Sequence, residues 1–408
     1  MKNILTFQQI KIADYDYPLP EKNIAYYPLP QRDHSKLLVY KNQQITDSSF
    51  EQAVDFLDKD MLLVFNDSKV IHARIHACTD TGARVEIFCL EPLSPETELS
   101  KAFACRGIVT WKCFVRNAKR WKTPLRLKVS LETHDLEVWV TRGAEQDGAF
   151  PVTFAWNDEQ ITFSDWLETR GKMPLPPYIK RETEPTDEQR YQTIYARHEG
   201  SVAAPTAGLH FSYPVLQQLQ ERQIPCANIT LHVGAGTFKP VTTDSMGNHF
   251  MHREQIEVSI ELIDTLLNHR SHKAIAVGTT VGRALESLYL MGVKLQLHKP
   301  NPFHVEQWEY YQHPEWQKIS MIQSLTALHN YMQNQNMKRL WGSTELLILP
   351  GYRFSLLKGL FTNFHQPKST LLLMVAALLG NSWKDIYRHA LTHNYRFLSY
   401  GDANLYLL

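Results

Sequence analysis

HKAIAVGTTVGRALESLYLMG, residues 272–292, decides the fold class. Its first half is a short apolar run closed by Gly278, the pattern of a buried strand. Its second half, RALESLYLMG, is a helical pattern expected to stop at Gly292, because glycine commonly ends helices. A strand running straight into a helix implies helices layered on a sheet. The flanking segments repeat that order. NITLHV (228–233) reads as a strand. SIELIDTLLNHR (259–270) reads as an amphipathic helix with Ile260, Ile263, Leu266 and Leu267 turned inward. Residues 212–222 place Val215, Leu216 and Leu219 on one helix face behind Phe211, with Ser212 as the cap. These alternations predict an α/β body with some parallel pairing.

Upstream the pattern changes. MLLVFND (61–67), ARVEIFCLE (83–91), WKCFVRN (111–117), LRLKVSL (125–131) and LEVWVTR (136–142) read as short strands between turns. They predict an inserted all-β, barrel-like domain over 61–155. Residues 1–60 and 156–408 then form the α/β main domain. Within it, ITFSDWLETRG opens a helix with Ser164 as cap, and MPLPPYIKR (173–181) is extended and stiffened by proline. Residues 294–343, rich in Gln, Asn, His and aromatics, read as a longer helical excursion or a partner surface.

The bulk numbers narrow the function classes. The 408 residues carry a formal net charge of +1, so no global basic field exists. Nucleic acid would have to bind through a local patch. No run of about 18 apolar residues suggests a membrane span, and the N-terminal stretch does not read as a secretory leader. The five cysteines include no Cys-x-x-Cys pair. Reduced thiols in a cytoplasmic protein are the expectation, with no metal site.

Several segments have the character of ligand loops. AAPTAGLHF (203–211) combines small residues with Pro205, Thr206, Gly208 and His210, directly before a helix. LHVGAGTF (231–238) carries His232, Gly234 and Gly236 after a strand; such turns can cradle a polar group. In VGTT (277–280), Thr279 and Thr280 cap a helix or bind ligand hydroxyls. Arg283 lies one turn on, suited to a carboxylate or phosphate. TNFHQPKST (362–370) sets Asn363, His365 and Lys368 before a helix start, where an anion is favoured. YRFLSYGDANL (395–405) presents Asp402 after Gly401. Lys69, Arg74, Arg116, Lys119, Arg120, Lys180 and Arg181 supply a candidate phosphate-binding face.

Taken in order, YPLPQRDHSKLLV, LLVFNDSKVIHARI, MPLPPYIKR, YQTIYA, AAPTAGLHF, LHVGAGTF, VGTT, TNFHQPKST and YRFLSYGDA resemble the S-adenosylmethionine:tRNA ribosyltransferase-isomerase family of queuosine biosynthesis. The resemblance runs from about residue 15 to 405. It implies an α/β body with an inserted β-barrel. It also implies transfer of the ribosyl part of S-adenosylmethionine to 7-aminomethyl-7-deazaguanine at the tRNA wobble position, giving epoxyqueuosine, adenine and methionine. S-adenosylmethionine is then a co-substrate, tRNA the partner, and no further cofactor is implied.

That chemistry assigns provisional roles. The sulfonium acidifies the neighbouring 5′ protons, so an imidazole suffices as base. His210, His232 and His365 are candidates, with His210 first for its constrained loop. Asp402 is a candidate donor to departing adenine. Arg283 is the first choice for the methionine carboxylate. Thr206, Gly208, His232, Gly234, Gly236, Thr279, Thr280, Arg283 and Asn363 are the expected substrate-binding set. The basic residues above are the expected tRNA-binding set. One departure bears on substrate: the family has Ser-Val-Arg after VGTT where this chain has Val281-Gly282-Arg283. It leaves two alternatives, a different acceptor or a non-catalytic binding protein of the same fold. The sequence sets no oligomeric state.

Overall fold

A computed structural model describes residues 4–146, 148–234, 241–269 and 273–408. Two sheets organise it. The larger has ten strands, and its centre is a parallel set in the order Cys226–His232, Met61–Asn66, Lys273–Val277, Leu357–Asn363. Ala403–Leu407 adds antiparallel to the last of these, and Lys36–Lys41 pairs parallel to it. On the other flank, Glu254–Ser259 and Arg339–Thr344 continue the sheet antiparallel.

All six residues of Met61–Asn66 are buried. That corrects the expected grouping of 61–67 with the β-domain. An unbroken apolar run has no polar face to give to solvent, so it belongs where both faces are covered. The second sheet starts later. Its six strands run antiparallel in the order Arg74–Cys78, Arg84–Ser94, Ile108–Arg116, Phe150–Trp156, Asp135–Arg142, Leu125–Ser130. Its first and last strands approach one another, curling it toward a barrel. Strict alternation fills the interior, as Leu125–Ser130 buries every other residue. Trp111 and Phe163 stack inside it with ring centroids 5.2 Å apart. The fold is thus an α/β body with a barrel-like antiparallel insert.

Side-chain caps set several helix starts. Ser212 accepts from Val215 N, and Ser259 from Leu262 N. The helix Phe163–Arg170 is capped by Thr162 in a reciprocal pair with Asp165, not by Ser164. Ser164 falls inside the helix because the Thr162–Asp165 spacing completes a capping box.

The helix Thr279–Gln296 is buried on every side from Val281 to Lys294. It runs through Gly292, against expectation. A Cβ there would stand 2.3 Å from the carbonyl oxygen of Ser324. Glycine at this position lets the helix Met321–Asn334 dock; it is not a stop. Gly282 does the same against Met374, whose Cε would lie 2.5 Å from an added Cβ. Glu286, fully buried on this helix, accepts the backbone N–H groups of Ser355, Leu356 and Leu357 and the hydroxyl of Tyr352. It thereby ties the helix to the start of the strand Leu357–Asn363.

Residues 294–343 are no excursion. They contribute the sheet strand Arg339–Thr344 and the docked helix Met321–Asn334. Tyr310, Tyr311 and Trp316 are buried in the main core. Their aromatic surface is too large to leave in water, and Phe7 packs against Tyr311 at 4.4 Å between ring centroids.

Candidate active site

The parallel strands end side by side, and a cleft opens beyond their carboxyl ends, where such sheets bind ligands. Its cavity volume is about 80 Å³, or about 770 Å³ with the open solvent it runs into. Ala203–Ala207 form one wall, with Val233 past the end of its strand. Gly278, Thr279 and Thr280 form the next, followed by Thr362–Gln366 and Ser369. Leu398, Ser399 and Tyr178 close it. Six separate segments singled out in the sequence therefore meet at one place.

Local structure explains the convergence. Gly278 adopts φ +105°, a conformation that favours glycine, between the strand Lys273–Val277 and the helix Thr279–Gln296. The helix Thr370–Leu379 starts at Ser369, whose hydroxyl accepts from Leu372 N. Two helix N-termini thus open on the same cleft, and their aligned backbone dipoles favour an anion there. The walls beside them, Ala203, Ala204, Ala207 and Phe364, are small or flat and suit a heteroaromatic ring.

Of the expected substrate-binding residues, Thr206, Thr279, Thr280 and Asn363 line the cleft. So does His365. Its Nε2 lies 2.7 Å from Thr362 Oγ1, and its backbone N–H donates to Tyr387. Burial drives its pKa down to about 3, so the ring is neutral near pH 7.

His210, the first-ranked base, does not line the cleft. It is buried behind Asn363, with Nδ1 2.8 Å from Ser35 Oγ and Nε2 3.1 Å from Asn363 Nδ2. Burial, aided by the Arg32 and Arg396 cations, lowers its pKa to about 3. Both nitrogens have partners inside the protein. His232 is also elsewhere, stacked parallel to Trp341 at 6.2 Å. Gly208 packs behind the wall, where a Cβ would meet Tyr195 Oη at 2.0 Å. Gly234 follows the strand Cys226–His232 and does not line the cleft. Gly236 lies outside the described residues.

Two charged assignments change. Arg283 faces into the protein and pairs with the buried carboxylate of Glu254. Its charge is already matched by that carboxylate. Asp402 accepts the backbone N–H groups of Lys36 and Arg396, at 3.0 and 2.7 Å. Burial pushes its pKa up, and those bonds pull it back. It braces a turn and does not reach the cleft. Lys368 pairs with Asp16 at 2.8 Å.

Sequence reasoning passed over Tyr178, Gln366 and Ser399. Tyr178 and Ser399 share a hydrogen bond across the cleft mouth. Both stand inside segments already singled out, but nothing in their spacing says which way they point. Val281 and Gly282, the departures from the family pattern, are buried in the helix core and do not line the cleft. Among the described residues, two groups bring metal-ligating types together: Asp47 with His389 and His393, and Asp33 with His34 and Glu51. Neither lines the cleft.

A second, wider groove runs between the six-stranded sheet and the segment Leu175–Thr183. Arg74, Arg116, Lys180 and Arg181 from the expected basic set line it, joined by Arg84, Arg126, Lys128 and Arg170. Glu86 and Glu182 are the acidic residues there. Arg181 is held by both oxygens of Asp187, at 2.6 and 2.7 Å, and Arg74 by Glu86 at 2.9 Å. Lys69, paired with Glu199 at 2.8 Å, lies outside it. So do Lys119 and Arg120, on the exposed turn Ala118–Arg120.

Residues 12–406 match the family model described as queuosine biosynthesis protein. An S-adenosylmethionine:tRNA ribosyltransferase-isomerase of Trichlorobacter lovleyi is 36% identical over 399 residues, covering 97% of this chain and 99% of its own. The protein of that name from Aromatoleum aromaticum is 37% identical over 397 residues, covering 97% and 96%. A crystal structure of an S-adenosylmethionine tRNA ribosyltransferase from Thermotoga maritima aligns over 97% of this chain and all of its own, at 26% identity and a TM-score of 0.46.

Proposed function

We infer the reaction from one premise: the chain belongs to the queuosine biosynthesis protein family. It is an S-adenosylmethionine:tRNA ribosyltransferase-isomerase, working on tRNA in the cytoplasm. The observation that carries this is the cleft beyond the parallel strands, where six family-like segments meet. The cleft takes S-adenosylmethionine. Adenine lies against Ala203, Ala204 and Phe364, and the methionine carboxylate sits at the N-termini headed by Thr279 and Ser369.

His365 is the base, because it is the imidazole that lines the cleft. The methionine carboxylate, once bound, would raise the pKa of this imidazole by Coulomb attraction. The sulfonium makes the 5′ carbon acidic enough for such a base. In the net reaction, C1′ exchanges its glycosidic bond and its bond to the ring oxygen for a C–N bond to the acceptor amine and a C–C bond to C5′, and adenine leaves with a proton. The ring oxygen closes on C5′ as the epoxide while the C–S bond breaks with its electron pair leaving on methionine; the C5′ and amine N–H protons supply adenine's proton and the one released. The basic groove between the six-stranded sheet and the segment Leu175–Thr183 holds the tRNA backbone through phosphate contacts. Val281 and Gly282 pack into the core, so they give no ground for a different acceptor.

The test is direct. The protein is incubated with S-adenosylmethionine and tRNA carrying 7-aminomethyl-7-deazaguanine, and adenine and the nucleoside mass are measured together. Adenine release with conversion of the nucleoside supports the proposal. Adenine with an unchanged nucleoside would move the chain to another acceptor. His365→Gln is expected to lower turnover by about 10²–10⁴-fold with little change in S-adenosylmethionine affinity.

A further inference from the structure

The buried chain Ser35–His210–Asn363 has a direction. The Asn363 amide nitrogen can only donate, so at 3.1 Å it donates to His210 Nε2. That leaves the proton on Nδ1, which donates to Ser35 Oγ at 2.8 Å. Burial of His210 keeps the ring neutral. Asn363 is 2% exposed and lines the cleft. Its Oδ1 is buried with no hydrogen-bond partner among the described residues. An unpaired buried carbonyl is costly unless a ligand satisfies it.

Its position indicates which ligand group. Val277 pairs with Phe361 in neighbouring parallel strands. Asn363 therefore ends its strand beside Thr279, at the N-terminus already assigned to a carboxylate. In an amino acid the ammonium is bonded to the same carbon as the carboxylate. We propose that His210 is a positioning residue that locks the Asn363 amide, and that Asn363 Oδ1 thereby receives the α-ammonium of the amino-acid moiety of S-adenosylmethionine. This rests on the proposed function for its ligand.

The test compares affinities for S-adenosylmethionine and for 5′-methylthioadenosine, which lacks the amino-acid head group. Wild type, Asn363→Ala, His210→Phe and His210→Gln are titrated calorimetrically, with thermal melting to verify folding. Asn363→Ala is expected to lose about tenfold or more in S-adenosylmethionine affinity, the range of a hydrogen bond to a charged group. Its affinity for 5′-methylthioadenosine stays within about threefold. His210→Phe lets the amide turn over and follows Asn363→Ala, whereas His210→Gln, which keeps an acceptor and a donor, restores affinity. The pH–rate profile of His210→Gln keeps the wild-type limbs.

Equal losses for both ligands would overturn the head-group assignment. A His210→Gln protein that binds S-adenosylmethionine normally but turns over none would return His210 to proton transfer. If His210→Phe does not fold, Asn363→Ala and His210→Gln decide the matter. Failure of wild type to release adenine would refute the proposed reaction, while the binding comparison still judges the role of Asn363.

Discussion

Gly208→Ala should damage the protein through one hydroxyl. A Cβ at residue 208 would stand 2.0 Å from Tyr195 Oη, 2.9 Å from Thr193 Cγ2 and 3.2 Å from Tyr195 Cζ. The hydroxyl cannot swing aside cheaply, because it sits on a rigid ring packed edge-on against Phe65 at 5.0 Å. Overpacking of this kind costs about 1–3 kcal/mol. Tyr195 Oη is buried without a hydrogen-bond partner among the described residues, so Tyr195→Phe alone should cost under about 0.5 kcal/mol or stabilise. In the double variant the remaining contacts are Thr193 Cγ2 at 2.9 Å and the ring carbon at 3.2 Å, a strain that small shifts relieve in part. Urea unfolding of the four proteins gives the coupling energy. We expect the double variant to recover about 1–2 kcal/mol of the Gly208→Ala loss. Since the turn Thr206–His210 carries Thr206 into the cleft, S-adenosylmethionine affinity should fall and recover in parallel. A Gly208→Ala protein as stable as wild type, or strictly additive effects, would refute this reasoning.

Acid should weaken the fold through His210 and His365. Both have folded pKa values near 3, below the ordinary 6.5. The unfolded chain therefore binds more protons than the folded one between those values, and stability is lost as pH falls from 6.5 toward 3. Between pH 7.5 and 5.5 each contributes a loss of about 1.4 kcal/mol; His210→Gln should abolish one such share in unfolding experiments at the two pH values. Arg283→Met, which leaves Glu254 charged and buried, should cost about 3–5 kcal/mol. Its folded fraction should bind S-adenosylmethionine within about threefold of wild type by calorimetry. Arg126→Glu with Lys128→Glu, both exposed on the strand Leu125–Ser130, should weaken tRNA binding in filter assays. The slope of log affinity against log salt should shrink by about 2, with S-adenosylmethionine affinity unchanged.

What the sequence made legible was local. Period-two alternation named most of the barrel-like strands, because their inner and outer faces differ chemically. Ser212 was readable as a cap because capping depends on a few neighbouring atoms. The cleft-forming segments were readable through the family resemblance, and Thr206, Thr279, Thr280, Asn363 and His365 do meet. What was not legible depended on partners far away in the chain. Met61–Asn66 looked like any short apolar strand; only its neighbours, Cys226–His232 and Lys273–Val277, place it in the main sheet. Gly292 looked like a stop until Ser324 explained it. Arg283 looked available for a substrate carboxylate, but Glu254 lies 29 residues away and claims it. His210 looked catalytic because its loop is constrained, yet the constraint holds it behind Asn363.

The most direct measurement follows the ribosyl carbon. S-adenosylmethionine labelled with ¹³C only in its ribose is turned over with tRNA carrying 7-aminomethyl-7-deazaguanine, and the digested nucleosides and free purine are weighed by mass spectrometry. The account requires the whole ribose label in the modified wobble nucleoside and none in the released adenine. Label left on a free thioribose or on an adenosine, with the wobble nucleoside unlabelled, would contradict it.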